Sequence, residues 1–74
     1  SVATICHQIC REALRQSAQP QVRELTILAH VEVIERLLDE EAPLLAELQQ
    51  RVGKPLRLQA DALYGIEQFD VVLA

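Results

Sequence analysis

The sequence predicts an α+β domain whose elements follow in the order α, β, α, α, β, β, with a three-stranded sheet packed on the helices. Three observations predict it. Apolar residues recur at the i, i+3, i+4 spacing of a helix from Val2 to Ser17 and again beyond His30. Short apolar or alternating runs around Leu25, Leu56 and Phe69 read instead as strands. The chain has 74 residues, 50% of them apolar, yet only Tyr64 and Phe69 are aromatic, so residues 1–74 form one domain around an aliphatic core. A chain of this size buries only about 60% of its unfolded surface, and such a core rarely supplies more than about 3–5 kcal/mol.

Each element has its own justification. In the first helix, Val2, Ile5, Cys6, Ile9, Cys10, Ala13 and Leu14 form one face. Ser1 is placed to cap its start, and Pro20 stops continuation after Ser17. Val22 to Ala29 reads as a largely buried strand, with Leu25, Ile27 and Ala29 on one side and Thr26 and Leu28 on the other. Val33, Ile34, Leu37 and Leu38 make a short helical stripe, and Leu44, Leu45, Leu48 and Val52 a second. Pro43 separates the two stripes or starts the second helix, since proline is tolerated in a first turn, and Glu40 and Glu41 beside it suit the positive end of the helix dipole. Gly53 is expected as a left-handed cap, with Pro55 blocking extension. Leu56–Ala60 and Phe69–Leu73 alternate as strands joined by the segment from Asp61 to Glu67. These patterns leave the strand order open.

Charge and composition exclude several function classes. The formal net charge is −4, and Glu32, Glu35, Asp39, Glu40, Glu41 and Glu47 crowd one stretch against Arg36 alone. Nucleic-acid binding rests on clustered Lys and Arg; here only Arg51, Lys54 and Arg57 gather, around Gly53, as a weak RNA-contact candidate without aromatic neighbours. The acidic run at Asp39 reads as helix-start chemistry rather than as a cation site. Cys6 and Cys10, four apart, read as small buried apolar residues: a structural zinc needs four ligands, and His7 lies on the polar side of the same helix. His30 stands at a strand-to-helix junction as a turn or capping residue. No active site, small-molecule site or cofactor site assembles, so catalytic, cofactor and metal residues are all expected to be absent from these residues. No apolar run approaches the ~20 residues of a membrane span, and two cysteines make no secreted disulfide framework, which fits a soluble protein of a reducing cytoplasm. The chain contains no methionine, so Ser1 is not an initiator and the sequence reads as part of something longer.

The segments "VATICHQICREALR", "LLDEE", "LAELQQRVGKPLRLQ" and "LYGIEQFDVVL", in that order, closely resemble the C-terminal small domain of the ribonuclease E/G family, nearer its ribonuclease G branch. Gly53-Lys54-Pro55 before an alternating strand, and Leu63-Tyr64 shortly before Glu67-Gln68-Phe69-Asp70-Val71-Val72, are the most specific parts. The resemblance implies a parent endoribonuclease of the bacterial cytoplasm that cleaves single-stranded RNA in ribosomal RNA maturation and RNA turnover. It implies magnesium held by a catalytic subdomain and zinc shared between subunits through a cysteine motif upstream of this domain. Cys6 and Cys10 do not match that motif. The implied role of these residues is structural, helping to organise a homo-oligomer with the rest of the ribonuclease, with RNA met through the parent.

Two readings therefore stand at the sequence level: a non-catalytic assembly module, and a KH-like RNA-binding module. A KH domain clamps RNA with a GXXG loop, whereas the only glycines here are Gly53 and Gly65. For assembly the candidate interface residues are Tyr64 and Phe69 near the last strand. Phe69 reads first as core, alternating inward with Val71 and Leu73, while Tyr64, outside the strand pattern, is the better interface candidate.

Overall fold

A computed structural model describes all 74 residues. Helix α1 spans Val2–Ser17, strand β1 Leu25–Ala29, α2 Val31–Leu38, α3 Ala42–Val52, β2 Leu56–Ala60 and β3 Phe69–Leu73, the α+β order that the periodicity predicts. The ends of the helices follow their capping chemistry. The Thr4 backbone N–H donates to Ser1 Oγ at 3.2 Å, and the Glu32 N–H donates to His30 Nδ1 at 3.0 Å. Pro43 falls in the first turn of α3, and Gly53 closes that helix with φ of 65°.

Strand order is where the structure adds what the sequence leaves open. The sheet runs β2-β1-β3, with β1 parallel to β2 and antiparallel to β3. Leu25, Ile27 and Ala29 lie opposite Leu56, Leu58 and Ala60 on one side and Leu73, Val71 and Phe69 on the other. Because side chains alternate along a strand, all nine point to the same face. Helices α1 and α2 cover that face, and α3 packs on the two helices. Ile5, Ile9, Ala13, Val33, Leu37 and Leu48 meet Leu25 and Ile27 in a single core.

Two expectations need correction. The first strand is shorter than Val22–Ala29: the Val22 N–H closes a turn on the Gln19 carbonyl at 3.1 Å, so Val22 enters the core from a turn and pairing begins at Leu25. Leu38 does not join the buried stripe; α2 ends there, and its side chain is 60% exposed. Glu40 and Glu41 stand beside the start of α3, next to the positive end of its dipole. Glu41 is its N-cap residue but accepts no capping hydrogen bond, and its carboxylate instead reaches Arg36 Nε and His7 Nε2, each at 3.7 Å.

Gly53 supports a direct test. A methyl group there would meet no atom within 4 Å, so the cost of Gly53→Ala is conformational only, about 1–2 kcal/mol for a left-handed alanine. Gly65 has equally open surroundings and no positive φ. Denaturant melts should therefore show Gly53→Ala lowering stability by about that amount and Gly65→Ala changing it by less than about 0.5 kcal/mol.

Candidate functional site

The thiols lie inside the helical layer. Cys6 and Cys10 are both free and buried, and Cys6 Sγ lies 3.8 Å from the Val33 carbonyl, within reach of a weak S–H donation. Burial pushes the Cys10 thiol up to about 11, with the neighbouring Cys6 and Glu41 adding to the rise. Burial also raises Cys6, and Glu41 adds to it. A nucleophilic cysteine needs the opposite, an electropositive setting that favours thiolate. No group of three His, Cys, Asp or Glu side chains is placed to hold a metal ion.

The three basic residues around Gly53 turn in different directions. Lys54 Nζ donates to the carbonyls of Ser17 at 2.6 Å and Gln19 at 3.2 Å, tying the start of β2 to the end of α1. Its charge is spent on the negative end of that helix. Arg51 stands on α3 with Glu47 at 3.9 Å. Arg57 alternates with Leu56 and Leu58 and so lies on the face of the sheet turned away from the helices. Neighbours along the chain are thus separated by the fold, and no basic groove that could track a phosphate backbone assembles from them.

The face of the sheet turned away from the helices is uncovered. Register places Arg57, Thr26 and Val72 in one row across it, and Gln59, Leu28 and Asp70 in the next. The central strand contributes Thr26 and Leu28 to it, and the edge strands contribute Arg57 and Gln59 on one side and Val72 and Asp70 on the other. Val72 is 47% exposed, and Leu63, in the connection between β2 and β3, is 92% exposed. The connection is shaped by its own hydrogen bonds: Asp61 Oδ1 accepts from the Leu63 N–H at 2.9 Å, and the Gln68 N–H donates to the Gly65 carbonyl at 3.1 Å. Tyr64 is half-buried, and its hydroxyl donates to Asp70 Oδ2 at 2.6 Å. That bond to a carboxylate raises the phenol above its ordinary value. It also pins the ring at the border of the open face. Phe69 packs against the core from the covered face, beside Val71 and Leu73.

Of the two aromatic candidates, the structure thus sets Tyr64 at the open face and Phe69 on the other side of the sheet. Leu28, Leu63 and Val72 are the surface residues that sequence reasoning passed over. A signal for two of them was present: Leu28 and Val72 occupy positions where strict alternation would place polar side chains.

No protein-family model matches the chain. Over 73 residues, 99% of its length, it is 38% identical to Ribonuclease G of Salmonella typhimurium (strain SL1344) and to Ribonuclease G of Escherichia coli (strain K12). Ribonuclease G of Haemophilus influenzae is 34% identical over 74 residues. The chain spans 15% of the length of each of these relatives.

Burial of the thiols has a chemical consequence. Neither cysteine of the folded chain should react with a disulfide reagent at pH 8, and both should react once the chain is unfolded. Because the folded Cys10 value of about 11 exceeds the ordinary 9.0, the neutral thiol favours the folded state below pH 9, and that contribution is lost as pH rises through about 11. Stability should therefore fall over that interval in the parent chain and fall less in Cys10→Ala. Rapid native labelling of either thiol would contradict the buried placement.

Proposed function

We propose that the chain, which is 38% identical to curated proteins named Ribonuclease G over 99% of its length, is a non-catalytic structural module of a longer endoribonuclease of the ribonuclease E/G family, one that contributes to assembly through the open face of its sheet. The observation that carries this reading is the asymmetry of the sheet. One face is sealed by helices, while the other presents Leu28 with Thr26 on its central strand and Val72 on an edge strand, among Arg57, Gln59 and Asp70. Apolar side chains left accessible among polar ones on an open sheet face suit a protein contact.

On this reading the parent acts on single-stranded RNA in the bacterial cytoplasm, in ribosomal RNA processing and RNA turnover, and the module holds the oligomer rather than the reacting phosphate. The magnesium and intersubunit zinc implied for such a parent belong to its other parts, because the residues here do not fit either ion: no carboxylate cluster and no thiolate pair with further ligands converges. No step of the reaction is assigned to these side chains. An RNA-binding module in its own right fits less well, since Lys54 is engaged with α1 and the only aromatic side chain at the open face is bonded to Asp70.

In the longer protein, Leu63→Asp combined with Val72→Asp should reduce the assembled fraction in sedimentation velocity by about tenfold or more. The same pair in the isolated chain should leave its circular dichroism melt nearly unchanged, because both positions are exposed. The isolated chain should leave 5′-monophosphorylated single-stranded RNA intact in the presence of magnesium. An unchanged assembly, or cleavage that disappears on mutating a residue of this chain, would overturn the proposal.

A further inference from the structure

The backbone along one edge of the sheet is unpaired. Glu24 and Ala74 exchange both of their backbone hydrogen bonds, at 3.3 and 3.0 Å. Bonded pairs recur at every second residue of an antiparallel ladder, so Val72 pairs with Thr26 and Asp70 with Leu28 in the same way. The N–H and C=O groups of Phe69, Val71 and Leu73 therefore point away from β1, to an outer edge where the order β2-β1-β3 leaves no further strand. The side chains of these three residues turn toward the helical face and are only half-buried there. Free backbone groups and accessible apolar side chains thus coincide along β3.

The two edges of the sheet are not equivalent. On the β2 edge, Pro55 directly precedes the strand and Arg57 lies within it, and both discourage the addition of another strand. From Phe69 to Ala74 there is no lysine, arginine, proline or glycine, and Asp70 is the single charge. A groove of about 250 Å³ lies at the end of the β3 edge, where Val22, Leu73 and Ala74 supply its apolar lining beside Gln19 and Gln21. A residue opposite Leu73 on an added strand shares the face of Leu73 and meets this groove. Asp70 is exposed on the open face, and no Lys, Arg or His lies within 4 Å of its carboxylate. Its side-chain partner is the Tyr64 hydroxyl, at 2.6 Å.

We infer that the β3 edge takes up an extended segment of a different polypeptide as a fourth strand, apolar at alternate positions and carrying a lysine or arginine opposite Asp70. Main-chain hydrogen bonds to Phe69, Val71 and Leu73 supply affinity, while the groove at Leu73 and the Asp70 carboxylate supply selectivity. Charge argues against a second copy of the chain as the occupant. Two β3 strands paired antiparallel about Val71 would set two Asp70 carboxylates diagonally on one face, between chains that each carry a net charge of −4. A basic segment meets attraction at the same place. The inference goes beyond the assembly reading, which concerns the open face of the sheet, and neither depends on the other.

Titration of the isotopically labelled chain with the acetylated and amidated peptide Gly-Val-Thr-Val-Lys-Val-Gly, followed by amide NMR, tests it. Antiparallel addition sets the peptide lysine opposite Asp70 and its three valines opposite Phe69, Val71 and Leu73. With the peptide bound, the amides of Phe69, Val71 and Leu73 should exchange with solvent about tenfold more slowly or better, and those of Asp70 and Val72, already bonded to β1, should change less. Glutamate in place of the peptide lysine, methylation of the central valine nitrogen, and Val71→Pro in the chain should each weaken binding about tenfold or more. Val71→Pro removes an N–H that points away from β1, so circular dichroism should show that variant folded. Asp70→Lys should reverse the preference toward the glutamate peptide, while Tyr64→Phe, which keeps the carboxylate, should leave it as it was. No shift at millimolar peptide, or protection confined to other residues, overturns the inference. Loss of the chain's own self-association in Val71→Pro would make a second copy the occupant and overturn it as well. Binding to the chain but not to the longer protein would put a segment of that protein on the edge, with the same consequence.

Discussion

Every ladder of the sheet passes through β1. The strand is only five residues long, Leu25–Ala29, yet β2 is held along one edge and β3 along the other by nothing else in the sheet. Its inward side chains, Leu25, Ile27 and Ala29, are essentially removed from solvent. Truncating a buried isoleucine to alanine costs about 2–5 kcal/mol, comparable to the whole stability a core of this size supplies. The remaining elements depend on that strand: α1 and α2 bury their apolar faces against the sheet that β1 assembles, and α3 packs on those helices.

The same strand sets the two-sided character of the surface. Alternation that sends Ile27 inward sends Thr26 and Leu28 outward, and the neighbouring strands extend that outward row with Arg57, Gln59, Asp70 and Val72. Helices cover one face and leave the other to solvent. What is buried is chemically quiet: burial holds both thiols toward their protonated forms, and the lysine nearest the glycine cap is occupied with the carbonyls at the end of α1. The molecule's distinctive features are thus surfaces rather than reactive groups.

Features set by neighbours in sequence were readable before the structure. The seven apolar positions of α1 share one face, Ser1 and His30 cap through their own side chains, and Gly53 takes the left-handed conformation that ends α3. Features set by distant neighbours were not. The order β2-β1-β3 is a non-local pairing that alternation within a strand does not encode. Lys54 looked like part of a basic cluster, but its partners lie 37 and 35 positions away in sequence. Leu38 continues a helical stripe by spacing, yet the neighbouring elements do not cover it. Tyr64 stood out only for lying off the strand pattern, and its bond to Asp70 requires the β2–β3 connection to fold back over β3.

Removing the module is the most direct trial of the assembly account. Sedimentation velocity should be run on the longer protein with and without residues 1–74, alongside single-turnover cleavage of a short single-stranded RNA. The account predicts a shift to smaller particles that exceeds the deleted mass, with the chemical step retained. A particle whose subunit number is unchanged, together with a cleavage step abolished by the deletion, would contradict it and place these residues in the catalytic machinery instead.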